Sequence, residues 1–267
     1  MYPLVLSDGA LEAITQKIKL FIESSVRFAG ASGAVIGLSG GVDSSLVALL
    51  AHDVVDTRAL ILPEKHVTLK ADVDDAKMVA QRLHIAFTTL TIDPFIECFK
   101  IFGKDLAPWQ ISGGVSIAEA NLKARVRMIL TYLVANSEHR LVLGTGNKTE
   151  LLTGYFTKYG DGGVDILPIG DLYKTQVFQL ARYLSLPESI VSKAPSAGLW
   201  VNQTDENELG LSYEVLDALL FQLINRKKTV KETANIVGVK VRQVQDVLHK
   251  VRVAKHKRHM PSVASVH

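Results

Sequence analysis

Residues 34–50 read AVIGLSGGVDSSLVALL. A short apolar run ends at Leu38, the chain turns through Gly40 and Gly41, and apolar residues then recur at helical spacing. A strand, a glycine turn and a helix start make a cradle for phosphate. No Gly-Lys-Ser/Thr follows, so this is not the familiar triphosphate loop. Ser39, Gly40, Gly41, Ser44 and Ser45 offer amides and hydroxyls, and glycine lets the backbone come close. Asp43 repels phosphate directly and meets it only through Mg2+, whose preferred ligands are oxygens. The alternative is a tight turn with an aspartate cap.

Working outward, Leu11, Ile14, Ile18, Phe21, Ile22 and Val26 predict a helix over 9–29, capped by Ser7 or Asp8. Strands at 34–38, 58–63 and within HIAFTTLTI (84–92) alternate with helices at 44–54 and 69–83. Asp93-Pro94 starts a short helix, residues 103–114 read as a loop, and a long helix runs from Ser116 with Ser116 and Glu119 as a capping box. RLVLGTGNKTELL (140–152) then repeats the opening pattern. This alternation predicts an α/β fold with a doubly wound parallel sheet. Ligands bind such sheets beyond the strands' carboxyl ends, where strand order reverses. If strands one and four are neighbours, the turns 39–44 and 144–147 face one crevice. Residues 154–175 are glycine-rich and aperiodic, yet carry Tyr155, Phe156 and Tyr159, which points to a functional loop rather than disorder. A helix over 175–184, a proline-containing stretch over 187–204 and three helices (205–225, 229–237, 240–254) complete the chain. The expected organisation is an α/β body, 1–204, with a small helical lobe, 205–267, packed on it.

Composition is that of a soluble globular protein: 48% hydrophobic and 21% charged in 267 residues. No apolar run approaches the roughly 20 residues that span a bilayer, and MYPLVLSDGALEAITQ lacks the features of a secretion signal; a cytoplasmic protein is expected. Cys98, the only cysteine, leaves no internal disulfide or thiolate metal cluster. In FIECFKIF it reads as a buried thiol. The net charge of +3 is uneven. From Arg226 onward, eleven Lys/Arg face two acids; the first 225 residues hold 19 bases and 25 acids. The basic end suits nucleic acid, a phosphorylated small molecule or plain solvent. Residues 229–251 look like a helix-turn-helix around Gly238, and equally like a generic packed helix pair.

SGGVDSS resembles the pyrophosphate loop of ATP-using ligases that adenylate their substrate. NLKARVR (121–127), LGTGNKTE (143–150), TGYFTKYGDGGVDILP (153–168), DLYKTQ (171–176), KAPSAGLW (193–200), TDENELGLSYEVLD (204–217) and HKRHMP (256–261) together resemble NAD synthetase. The resemblance implies a Rossmann-like, pyrophosphate-loop ATPase fold and the conversion of deamido-NAD (nicotinic acid adenine dinucleotide) to NAD. ATP adenylates the nicotinate carboxylate, and ammonia displaces AMP.

Position by position, the resemblance implies that Gly37, Leu38, Ser39, Gly40, Gly41, Val42, Asp43 and Ser44 bind ATP, with Thr145, Lys174 and Ser196. Asp43 and Glu150 hold Mg2+, and Asp43, Lys174 and Thr145 serve the chemistry. Arg125, Lys158, Asp165, His256 and Lys257 hold deamido-NAD. A homodimer is implied, for which the apolar helix 116–136 is available, and residues 154–165 are a candidate lid. Gly198 departs from the pattern, since the family commonly has Asp there. Some 30 residues before the ATP loop are too few for a glutamine-hydrolysing domain, so ammonia is expected directly unless a separate subunit supplies it. The competing readings are another pyrophosphate-loop ligase and, less favoured, a nucleic-acid-binding protein.

Overall fold

The computed structural model describes residues 4–103, 117–200 and 203–266. Ser7 Oγ accepts from the Ala10 N–H at 3.3 Å and caps α1 (Asp8–Phe28). That helix buries Leu11, Ile18, Ile22 and Val26 of the predicted stripe, while Phe21 is exposed. β1 (Gly33–Gly37), α2 (Val42–His52), β2 (Thr57–Ile61), α3 (Lys70–Arg82) and β3 (Ala86–Thr89) follow in alternation. α4 (Asp93–Gly103) and α5 (Ile117–Ser137) precede β4 (Arg140–Leu143) and α6 (Lys148–Thr153). α7 (Lys174–Tyr183) and α8 (Glu188–Val191) lead to the C-terminal helices.

The four strands are parallel, in the order β3-β2-β1-β4. The chain steps from β1 outward to β3, then crosses to the other side of β1, where Ile36 pairs with Leu143. Strand order therefore reverses between β1 and β4, and both glycine turns open onto that point. β1 is buried on both faces, which is why it reads as an unbroken apolar run. Ala34 and Ile36 pack with α1, α2 and α7, while Val35 joins Leu60, Ala135 and Val142 on the face that α5 covers.

Two expectations fail. The 205–225 segment is not one helix. α9 (Asp205–Leu209) ends at Gly210, whose φ of +79° is the left-handed stop glycine favours, and α10 (Tyr213–Leu220) closes in a π turn, Phe221–Asn225. Cys98 is exposed, not buried. Ile92 and Ile96 turn inward against Val126 and Leu130, and Cys98, two positions beyond Ile96, lies off that face. Ser116 of the expected capping box, and nearly all of the 103–114 loop, lie outside the described residues.

α11 (Val230–Val237) and α12 (Val241–Val253) build a second core, in which Val244, Val247 and Val251 meet Leu209, Tyr213, Leu216 and Leu219. The helix pair is thus engaged in packing. Among the described residues, no helix is long and apolar enough to cross a membrane.

Candidate active site

Gly40 has a φ of +83°, and a Cβ there would lie 2.2 Å from the Asp72 carbonyl oxygen. Only glycine fits, because α3 presses on the loop. Lys193 braces the same contact, donating to Asp72 and Asp75 at 2.7 Å each and to the Gly40 carbonyl at 3.4 Å. Inside the loop, the Ser39 and Ser44 hydroxyls lie 2.9 Å apart, and Ser39 Oγ accepts from the Gly41 N–H. Gly41 caps α2 with no side chain, leaving the first-turn amides to face an incoming anion.

Asp43 stands in the first turn of α2. Its Oδ2 accepts from Lys174 Nζ, and its Oδ1 accepts from Asn147 Nδ2 at 3.0 Å. Asn147 also caps α6: its Oδ1 accepts from the Glu150 N–H, and Glu150 Oε2 accepts from the Asn147 N–H, each at 3.1 Å. The other Glu150 oxygen lies 3.8 Å from Lys174 Nζ. Two carboxylates from two strand tips thus share one ammonium, and Lys174 itself is only 2% exposed. Burial, with Asp43 adding to it, pushes the Glu150 carboxyl above the usual carboxylate range, while Lys174 pulls the other way. Burial works against the charge on Lys174, but Asp43 and Glu150 outweigh it and raise its pKa.

A network behind this pair sets its geometry. Asp217, fully buried on α10, accepts from the Thr149 hydroxyl and from the Thr175 N–H. Thr149 Oγ1 in turn accepts from the Lys174 N–H at 3.0 Å. Asp205 adds a third carboxylate, held through Oδ2 by the Tyr213 hydroxyl at 2.8 Å. Its charge bears on both Lys174 and Glu150. Sequence reasoning missed Asn147, Lys193, Asp205 and Asp217 as site residues. All four stand inside segments that carry the resemblance, but only their long-range contacts give them work.

The remaining candidates are spread around this centre. Thr145 lies half-buried in the turn beyond β4, and Ser196 is exposed, its Oγ accepting from the Gly198 N–H at 3.1 Å. Neither is hydrogen-bonded to the Asp43–Lys174 pair. Arg125 Nη2 donates to the Lys158 carbonyl at 3.3 Å, which brings those two together. Lys158 Nζ sits over the Tyr159 ring. Asp165 accepts from the Tyr132 hydroxyl and the Val142 N–H. His256 is exposed, and Lys257 Nζ donates to the Gly154 and Phe156 carbonyls at 2.7 Å each. That grip, with the Asn121–Thr157 side-chain bond, holds the 154–165 segment in its turns.

The chain is similar to known proteins along nearly its whole length. An NH3-dependent NAD+ synthetase of Archaeoglobus fulgidus is 47% identical over 258 residues, covering 96% of this chain and 97% of that protein. A solved NMN synthetase from Francisella tularensis superposes with a TM-score of 0.83 at 34% identity, covering 97% and 99% of the two chains. An NH3-dependent NAD synthetase from Campylobacter jejuni does so with 0.78 at 28% identity, covering 98% and 100%. The NAD synthase family model matches residues 14–261, which takes in both glycine turns, all three carboxylates and the basic C-terminal helices, and the chain belongs to that family.

Proposed function

We propose that this chain makes NAD by ATP-dependent amidation of deamido-NAD, with ammonia as the nitrogen donor. One observation carries the reading: Lys174, Asp43 and Glu150 converge where strand order reverses, beside a glycine loop open to phosphate. The 47% identity to a protein named for this activity supports it.

The chemistry needs no protein nucleophile. The α2 amides and the Ser39 and Ser44 hydroxyls take the phosphate oxygens, with Thr145 and Ser196 at the rim. Lys174 brings a fixed positive charge to the pyrophosphate as it leaves. Asp43 and Glu150 bring carboxylate oxygens from two strand tips to one place, and oxygens are the donors Mg2+ prefers. Asp43 and Glu150 would hold the ion, which supplies charge neutralisation for the phosphates. Arg125, Lys158, Asp165, His256 and Lys257 line the approach for the dinucleotide, which is placed with its carboxylate in line with the α-phosphorus. Closure against water protects the adenylate until ammonia arrives.

We further infer a cytoplasmic homodimer that meets through α5, whose Ile129 and Leu133 are 54% and 64% exposed one helical turn apart. The likeness to an NMN synthetase makes the acid form of NMN the competing substrate. Purified protein with ATP, Mg2+ and ammonium is given either acid, and AMP and the amide product are measured. Deamido-NAD should be preferred, and Asp43→Ala should lose at least ~100-fold in rate while keeping its native circular dichroism. Preference for the mononucleotide, or no AMP from either acid, refutes the reading.

A further inference from the structure

Lys123, on α5, is 1% exposed, and no step of the chemistry above uses it. Its ammonium has two close partners. Glu64 Oε1 lies 2.9 Å from Nζ, and the Leu199 carbonyl accepts from Nζ at 3.1 Å. Glu119, one turn earlier on the same helix, stands farther off at 3.7 Å. Glu64 is itself buried, and its Oε2 accepts no hydrogen bond. Such an ion pair is a poor source of stability: desolvation offsets the attraction, and apolar residues of like volume do as well or better. The pair is therefore explained by what it holds.

It holds one end of the 193–200 segment. At the head of that segment Lys193 donates to Asp72, to Asp75 and to the Gly40 carbonyl, in the loop that follows β1. At the tail Lys123 ties Leu199 to Glu64, just beyond the end of β2. β1 and β2 are neighbours, with Gly37 beside Leu60. The segment is thus fastened at both ends over adjoining strand tips, on the flank of the crevice that carries the glycine loop, and Ser196 stands between the fastenings. Gln203 Oε1 accepts from the Leu199 N–H at 2.8 Å, so both backbone polar groups of Leu199 are held. The next residue back, Gly198, donates its N–H to Ser196 Oγ. We propose that Lys123, set in place by Glu64, is a positioning residue for ATP: it fixes the Leu199 end of this span and with it the turn from which Ser196 meets the nucleotide. The inference rests on the amidation reading, with Ser196 as a contact for ATP.

Lys123→Met combined with Glu64→Leu removes both charges at similar volume. Steady-state kinetics in each substrate and urea unfolding are measured. The double variant should unfold at the wild-type midpoint or above it. Its KM for ATP should rise about 10- to 100-fold, the effect of losing a charge-assisted hydrogen bond. Its kcat and its KM for deamido-NAD should stay at the wild-type level, as for an interaction lost equally from ground state and transition state. Ser196→Ala should raise the KM for ATP in the wild-type background and add nothing in the double variant, because one acts through the other. An unchanged KM for ATP overturns the anchor. An equal rise for both substrates also overturns it, since that marks a loosened fold, as does a full Ser196→Ala effect in the double variant or none in wild type. If the double variant fails to fold, Gln203→Leu decides, because it frees the Leu199 N–H; a rise in KM confined to ATP supports the anchor, and an unchanged one overturns it. Wild-type protein that releases no AMP from ATP, deamido-NAD and ammonium refutes amidation itself, and the anchor with it.

Discussion

Glu150 uses one oxygen to close the start of α6 and the other to face Lys174. Asn147 likewise caps that helix while it steadies Asp43. Local folding and site geometry therefore rest on the same atoms. Two glycines separate demands of space from demands of backbone. Gly40→Ala drives a Cβ into the Asp72 carbonyl at a positive φ and should cost about 2–4 kcal/mol in denaturant unfolding. Gly198 also has a positive φ, +61°, but nothing lies within 4 Å of its missing Cβ. Aspartate tolerates that backbone better than most residues, so Gly198→Asp should stay within about 1 kcal/mol of wild type. Asp43 and Glu150 were legible because each follows a glycine turn at a strand end. Asn147 and Asp205 were not, since contacts across long stretches of chain give them their place.

At the scale of elements, Asp217 joins α10 to the starts of α6 and α7 and so fixes Glu150 relative to Lys174. Burial lifts its carboxyl from 3.8 to about 6, against the pull of Thr149 and Thr175. The folded protein then keeps a proton that the unfolded chain has released. The stability this contributes is complete below about pH 4 and is lost as pH rises through about 6, roughly 3 kcal/mol in all. Asp217→Asn lacks that dependence. Relative to wild type, the variant should gain by this amount between about pH 4 and about pH 7 in urea unfolding; a constant gap would disprove the assignment. Helix existence was readable from apolar spacing, as α1 and α12 show. The break at Gly210 was not, because the apolar residues on either side belong to the same core and keep one rhythm in the sequence.

At the scale of the molecule, strand alternation predicted a doubly wound sheet, and the neighbours β1 and β4 supplied the crevice. Which strand lies beside β1 is not written in any local pattern, and the order had to come from the structure. The dimer inferred above is tested by light scattering: wild type should show twice the chain mass, and Leu133→Glu should reduce it to one. A wild-type monomer would sink the interface.

Arg258 reaches back to α6, donating to the Leu151 and Leu152 carbonyls at 2.9 and 2.7 Å. Lys257 beside it grips Gly154 and Phe156. A polypeptide leaving the ribosome has made every strand of its sheet long before these two side chains emerge. The helix that presents Glu150 is therefore clasped by residues that follow it by about a hundred positions, so the strands exist before the pocket they serve is braced.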